Sequence, residues 1–213
     1  MKRFLKGTSF LCLVLCIAAT SLACTQQNKN FAEGWEKRLN RLQPPKKIMD
    51  AIGLKPGMTI GDIGAGRGRF TVWFADRVSE SGKVYANDIN QRALRYLSKR
   101  CKRHGFKNVI PCLGKVVDPN IPEGALDIAF MINVYHHLDK PIELLANIIP
   151  TLKPDGILVI VEHDPIKSGW TTESTAKKKV IEQAVQAGYE LIKIEDFLPN
   201  DYIYFFQPKV TIE

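Results

Sequence analysis

Two rhythms of apolar residues organise the chain. From about residue 55 onward, short apolar runs alternate with stretches in which apolar positions recur at helical spacing. "MTIGDI" reads as a strand, and Phe70, Trp73, Phe74 and Val78 then keep to one helical stripe. "SGKVYAND" supplies a turn and a second strand. Leu94, Leu97 and Cys101 mark the next helix, with Arg92, Arg95, Lys99 and Arg100 placed outside its stripe. "NVIPCL" is a third strand, and Pro111, which cannot donate to a ladder, assigns it to an edge. "ALDIAFMINV" is apolar throughout and therefore central. "PIELLANIIPTL" is a helix, "KPDG" a turn, "ILVIVE" a fifth strand, and residues 174–187 a last helix closed by Gly188. "YELIKIED" and "YIYFFQ" alternate apolar and polar residues across "FLPND", the mark of an antiparallel pair.

Strand and helix in regular alternation predict an α/β fold: one doubly wound, mostly parallel sheet covered on both faces, with a C-terminal antiparallel hairpin strand. Ahead of it, "PPKKIMDAIGL" (44–54) predicts a short helix with proline in its first turn and Gly53 at its end. Residues 24–43 read as a tether and helical lead-in, and residues 44–210 as the domain.

Composition changes the picture mainly at the N-terminus. The chain has 213 residues, is 45% hydrophobic and carries a formal net charge of +8. Lys2, Arg3 and Lys6 precede "FLCLVLCIAATSLA", an uncharged run shorter than the about 20 residues a spanning helix needs. Residues 1–23 therefore read as an export signal. "SLAC" (21–24) resembles a lipoprotein processing site with Cys24 as the lipidated residue, although Ser21 stands where leucine is usual; plain cleavage after Ala23 is the simpler alternative. An exported or membrane-anchored chain follows, with an uncleaved anchor on the cytoplasmic face as the other reading. Removing the signal leaves a basic chain, whose basic helix (92–103) and Lys177–Lys179 read as solvated faces or contacts to anionic lipid. Nucleic acid is not an expected partner. Cys101 and Cys112 alone remain in the folded part, too few for a disulfide framework or a metal set.

"GDIGAGRGRF" (61–70) holds four glycines, Gly61 within the first strand and three between that strand and its helix. In a doubly wound sheet the ligand lies beyond the carboxyl ends of the strands, beside the first strand. Gly64, Ala65, Gly66 and Gly68 form a loop whose N–H groups can face a polar ligand at the helix start. Asp88 ends the second strand about 20 residues later, where a carboxylate accepts from ribose hydroxyls. Loop and acid together point to an adenosine-containing cofactor. The spacing G-x-G-x-G, with Asp62 two residues ahead, departs from the dinucleotide fingerprint and speaks against a nicotinamide cofactor.

D-x-G-x-G-x-G resembles motif I of the Rossmann-like (class I) S-adenosylmethionine-dependent methyltransferases. "VYANDIN", "GALDIAFMINVYHHLDKP", "LKPDGILVIVE" and "AGYELIKIEDFLPNDYIYFF" resemble that family's later motifs in order, so the resemblance spans about residues 42–207. It is nearest to exported bacterial methyltransferases that share "YHH" after strand four. The resemblance implies S-adenosyl-L-methionine as cofactor and an unidentified, small-molecule methyl acceptor. It implies Asp62 at the methionine amino group, Asp88 and Ile89 at the nucleoside, Asp118 at the adenine in place of an acid that relatives carry earlier, and Asn133 near the methionine. Tyr135, His136 and His137 are the candidates for taking a proton from the acceptor. The two histidines diverge at adjacent positions and do not make a metal pair. Glu162, His163 and Asp164 either line the acceptor side or serve as turn and cap residues before Pro165. The alternative function is an exported, non-catalytic binding module of the same fold, since a secreted enzyme would need a supply of a cytoplasmic cofactor.

Overall fold

A strand of seven residues, Leu126–Ile132 (β4), is the middle of a seven-stranded sheet. Its interior residues Ile128–Met131 are buried on both faces, which is why it reads as one apolar run. The structure, a computed structural model, describes residues 30–172 and 174–209. The export signal and Cys24 lie outside the described residues.

On one side of β4 stand β1 (Thr59–Ile63), β2 (Lys83–Asp88) and β3 (Val109–Leu113), and on the other β5 (Leu152–His163), β7 (Asp201–Pro208) and β6 (Tyr189–Glu195). The order is β3-β2-β1-β4-β5-β7-β6. β1 to β5 run parallel, and β7 lies antiparallel to both β5 and β6. This is the doubly wound fold with its reversed terminal strand, and Pro111 does lie on an edge. β5 begins earlier than the apolar run suggests. "KPDG" stays in the strand, and the pairing with β4 shifts register between Leu126 and Ile128 to absorb it.

The helices follow the periodic stripes. α1 (Lys37–Leu42) and α2 (Pro45–Ala51) precede the sheet. α3 (Thr71–Val78) follows β1 and α4 (Gln91–Arg103) follows β2. α5 (Pro141–Ile148) leads to β5, and the short α6 (Pro165–Ser168) and α7 (Lys177–Gln186) lead to β6. α3 buries Phe74 and Val78 against Ile60 and Phe130 on one face of the sheet, while Leu144, Leu145 and Val180 pack on Met131 and Ile160 on the other.

One helix departs from its stripe. Arg100 of α4 is fully buried, not solvated. Its Nη1 and Nη2 donate to Glu36 Oε1 (2.6 Å) and Oε2 (2.8 Å), and Nη2 also donates to the Phe31 carbonyl (2.9 Å). The lead-in is thereby a strap, Phe31–Gln43, held against the domain it precedes. Phe31 itself sits in the core with Trp73 edge-on at 5.1 Å between ring centroids.

Candidate functional site

The order in which strands are added across the sheet reverses between the parallel strands β1 and β4, and the loops at their carboxyl ends part there to form a cleft. The first wall is the glycine loop. Gly64 takes φ 76° and Gly66 φ 54°, a region that costs other residues about 1–2 kcal/mol. At Gly64 a Cβ would lie 2.5 Å from Val134 Cγ2, so only glycine lets the loop close on the segment after β4. At Gly66 a Cβ would meet nothing within 4 Å: this glycine opens onto the cleft. Gly68 instead packs on Leu97, where a Cβ would stand 3.0 Å from Cγ, and it lines neither cavity of the cleft.

Two cavities meet at Gly64 and Asn133. The larger, about 310 Å³, is lined by Asp88, Ile89, Val116, His137 and Leu138 among others. The smaller, about 200 Å³, is lined by Trp35, Asp62, Ala65, Gly66, Arg69 and Phe70 among others. Asp88 is fixed from both sides: Gly66 N–H donates to Oδ2 (2.8 Å) and Asn90 N–H to Oδ1 (2.7 Å). Each oxygen keeps a lone pair for a hydroxyl in the larger cavity. Ile89 beside it is 63% exposed and lines the larger cavity with an apolar surface.

Asp62 is 2% exposed and accepts from Thr71 Oγ1 (2.6 Å). Burial pushes its pKa up to about 6, while the Thr71 hydroxyl and the Arg69 cation pull it down and Asp88 adds to the rise. Its folded-state pKa lies above the unfolded one. Its contribution to stability is therefore fully present below about pH 4 and lost as pH rises through about 6. Asp62→Asn is expected to raise the melting temperature at pH 7 and not at pH 4, which a thermal scan at the two pH values checks.

Arg69, directly after the last loop glycine, is 8% exposed and points into the smaller cavity's wall. Among the described residues its hydrogen-bond acceptors are neutral: Nη1 donates to Asn40 Oδ1 (3.2 Å) and Nη2 to Gln43 Oε1 (2.6 Å). Burial lowers its pKa to about 10 against the opposing pull of Glu36, Asp62 and Asp201. Asn133 adopts φ 54°, which asparagine tolerates, and its side chain is engaged by Gln43. Arg69, Gln43 and Trp35 do not stand out in the sequence reading. A cation placed immediately after a glycine loop was a readable signal for Arg69, whereas nothing local marks the other two.

The YHH turn divides its three side chains. Tyr135 is 3% exposed, donates its hydroxyl to Gln183 Oε1 (3.0 Å) and packs against α5 and α7, away from the cleft. Burial holds its pKa far above the usual tyrosine range, so it is no base. His137 lines the larger cavity. His136 Nδ1 lies 2.6 Å from Oε1 of the fully buried Glu162, a contact that requires one proton between them. Burial first, then Asp201, pushes Glu162 up to about 8, against the backbone N–H groups of His136, Tyr135 and Thr175. His163 Nδ1 stands 2.7 Å from Asp201 Oδ1, and Trp170 meets the His163 ring edge-on at 4.7 Å. Asp164 is spent on capping α6 through the N–H groups of Ile166 (2.9 Å) and Lys167 (3.4 Å).

Asp118 is not brought to the cleft. Its Oδ1 accepts from Asn120 N–H (2.8 Å) inside its own loop, and Lys115 and Val116 line the cavity instead. The short polar loop after β3 turns the carboxylate back on its own backbone.

The residues present fit a nucleoside with an amino-acid tail. An open glycine, a fixed carboxylate and an apolar surface serve one part. A buried acid, and a buried cation that no carboxylate bonds among the described residues, suit the other. This fold with this site defines the class of S-adenosylmethionine-dependent methyltransferases. Residues 54–202 match the methyltransferase domain family, and the chain belongs to that family. A S-adenosylmethionine-dependent methyltransferase from Aquifex aeolicus superposes with a TM-score of 0.74 at 25% identity, over 83% of this chain and 98% of that one. The nocamycin O-methyltransferase of Saccharothrix syringae is 30% identical over 112 residues, 52% of this chain and 40% of the relative. The ubiquinone/menaquinone biosynthesis C-methyltransferase UbiE of Hydrogenovibrio crunogenus is 30% identical over 122 residues, 57% of this chain and 48% of the relative. The chain thus spans under half the length of these curated relatives.

Proposed function

We propose that this protein transfers the methyl group of S-adenosylmethionine to a small-molecule acceptor. The single observation that carries the reading is the pair of cavities joined at Gly64 and Asn133, with Asp88 in one and Asp62 with Arg69 in the other. Bound there, the cofactor supplies an activated sulfonium methyl. The chain's task is then to orient and to exclude water, and good orientation is worth roughly 7–11 kcal/mol. Asp88 takes the ribose hydroxyls, Ile89 and Val116 cover the base, and Asp62 takes the α-ammonium. His136 is held by Glu162 and faces a separate cavity with Tyr135 and Thr175, so His137, which lines the larger cavity, is the group placed to hold the acceptor's proton. The relatives named for nocamycin and for ubiquinone and menaquinone support a small-molecule acceptor.

Calorimetric titration tests this reading. S-adenosylmethionine and S-adenosylhomocysteine are expected to bind with one-to-one stoichiometry and NAD not to bind. Tight binding of NAD alone would remove the assignment.

The reading extends to location. Lys2, Arg3 and Lys6 before an uncharged run, and Cys24 after "SLA", support export with a lipid on Cys24. Mass spectrometry of the N-terminal peptide from a membrane fraction checks it: an intact Met1 terminus would end the export reading.

A further inference from the structure

Gln43, the last residue of the strap, is 1% exposed, and its amide is saturated. Nε2 donates to Asn133 Oδ1 and to Asp201 Oδ1, each at 2.8 Å. Oε1 accepts from Arg69 Nη2 (2.6 Å) and from Asn133 Nδ2 (3.1 Å). A primary amide offers two donors and two lone pairs, and all four are used. The orientation follows the charges: the carbonyl meets the guanidinium and the NH₂ meets the carboxylate.

Arg69 and Asp201 are both buried, at 8% and 0% exposure. Opposite charges in such surroundings attract strongly and would pair if they met. The amide stands between them. Asp201 is left to His163, and Arg69 keeps donors free: a guanidinium has five N–H groups and only two of these bonds are made, both to neutral oxygens. Among the described residues no carboxylate forms an ion pair with Arg69. A buried cation whose hydrogen bonds go to neutral oxygens, with carboxylates acting on it only through space, is incompletely compensated. This one lines the smaller cavity beside Asp62 and Gly66, where a ligand's carboxylate would neutralise it.

We propose that Gln43 is a spacer that withholds Arg69 from Asp201, so that the guanidinium selects ligands carrying a free α-carboxylate. With Asp62 at the α-ammonium, the smaller cavity reads a zwitterion, and the strap is a specificity element as well as a cover. The inference rests on the cofactor reading above and adds the part of the ligand that is recognised by charge.

The test compares S-adenosylhomocysteine with methylthioadenosine, which has the same nucleoside and sulfur but no amino-acid tail. Wild type is expected to bind the former at least about 100-fold more tightly, two charge-assisted contacts being at stake. Gln43→Glu puts a carboxylate against Arg69. It is expected to weaken S-adenosylhomocysteine by about 30-fold and methylthioadenosine by less than about threefold. Arg69→Met is expected to show the same split, and retained methylthioadenosine binding reports an intact fold. Equal loss of both ligands in either variant, or unchanged S-adenosylhomocysteine binding in Gln43→Glu, overturns the spacer. Equal affinity of wild type for the two ligands overturns the carboxylate site while leaving the nucleoside site standing. A wild type that binds neither removes the cofactor reading and this proposal together.

Discussion

Asp88→Ala is expected to weaken S-adenosylhomocysteine binding by two to three orders of magnitude, as read by calorimetry, on the order of 3–4 kcal/mol. The carboxylate does two jobs. Its oxygens receive Gly66 N–H at 2.8 Å and Asn90 N–H at 2.7 Å, which hold the glycine loop and the start of α4 in register. Its remaining lone pairs face the larger cavity, where ribose hydroxyls would donate. Hydrogen bonds to a charged acceptor are worth about 1.5–3 kcal/mol each, so losing two accounts for the loss. Alanine also frees the Gly66 N–H, so the loop loses its preset shape. Asp88→Asn keeps the volume and one acceptor oxygen, and an intermediate loss of about tenfold is expected. Unchanged affinity in Asp88→Ala would place the nucleoside elsewhere.

Glu36→Ala is expected to destabilise the protein by about 3–5 kcal/mol, seen as a shift in the urea midpoint with little change in slope. Glu36 and Arg100 are both fully buried and paired through two hydrogen bonds of 2.6 and 2.8 Å. Removing one partner strands the other charge in a site from which water is excluded. The carbonyls of Phe31 and Arg67, at 2.9 and 3.2 Å, remain as acceptors, and the partly exposed Glu33 carboxylate, 4.0 Å from Nε, is the one counter-charge left among the described residues and too distant to replace the two lost bonds. The strap is expected to loosen with the latch. Trp35 lines the smaller cavity, so S-adenosylhomocysteine affinity should fall as well, and new protease cuts should appear within residues 31–43. A joint replacement of Glu36 and Arg100 by leucine is expected to cost far less than either single change, because no charge is then left alone. If the single change is as mild as the double, the pair contributes little and another contact holds the strap.

The stretches that read correctly from the chain are those governed by near neighbours. β4 and β5 are apolar because both faces are covered, and their position in the sheet follows. Pro111 marks an edge through its own missing N–H. The glycine loop and Asp88 lie within one strand–helix–strand unit, so their spacing carries their geometry. Helical stripes are equally local, and α3 lies where Phe70, Trp73, Phe74 and Val78 place it. Arg100 shows the limit of that logic. Its position on α4 is polar by periodicity, yet a partner 64 residues away takes it into the interior. Likewise Asp118 has the residue type for a ligand, but a hydrogen bond two residues on turns it away.

By itself the sequence determined the order of elements, the class of the sheet and the end of it that holds a ligand, because hydrophobic period, turn chemistry and glycine spacing act over a few residues. Only the tertiary structure decided which polar side chains meet. The Gln43 amide reaches Asn133 across 90 residues and Asp201 across 158, and Glu162 selects His136 rather than Tyr135 or His137. Such pairings depend on where the folded sheet brings chain segments together and on which charges it removes from water. No local pattern encodes that, since the energy of a buried charge is set by its partner and not by its position in the chain.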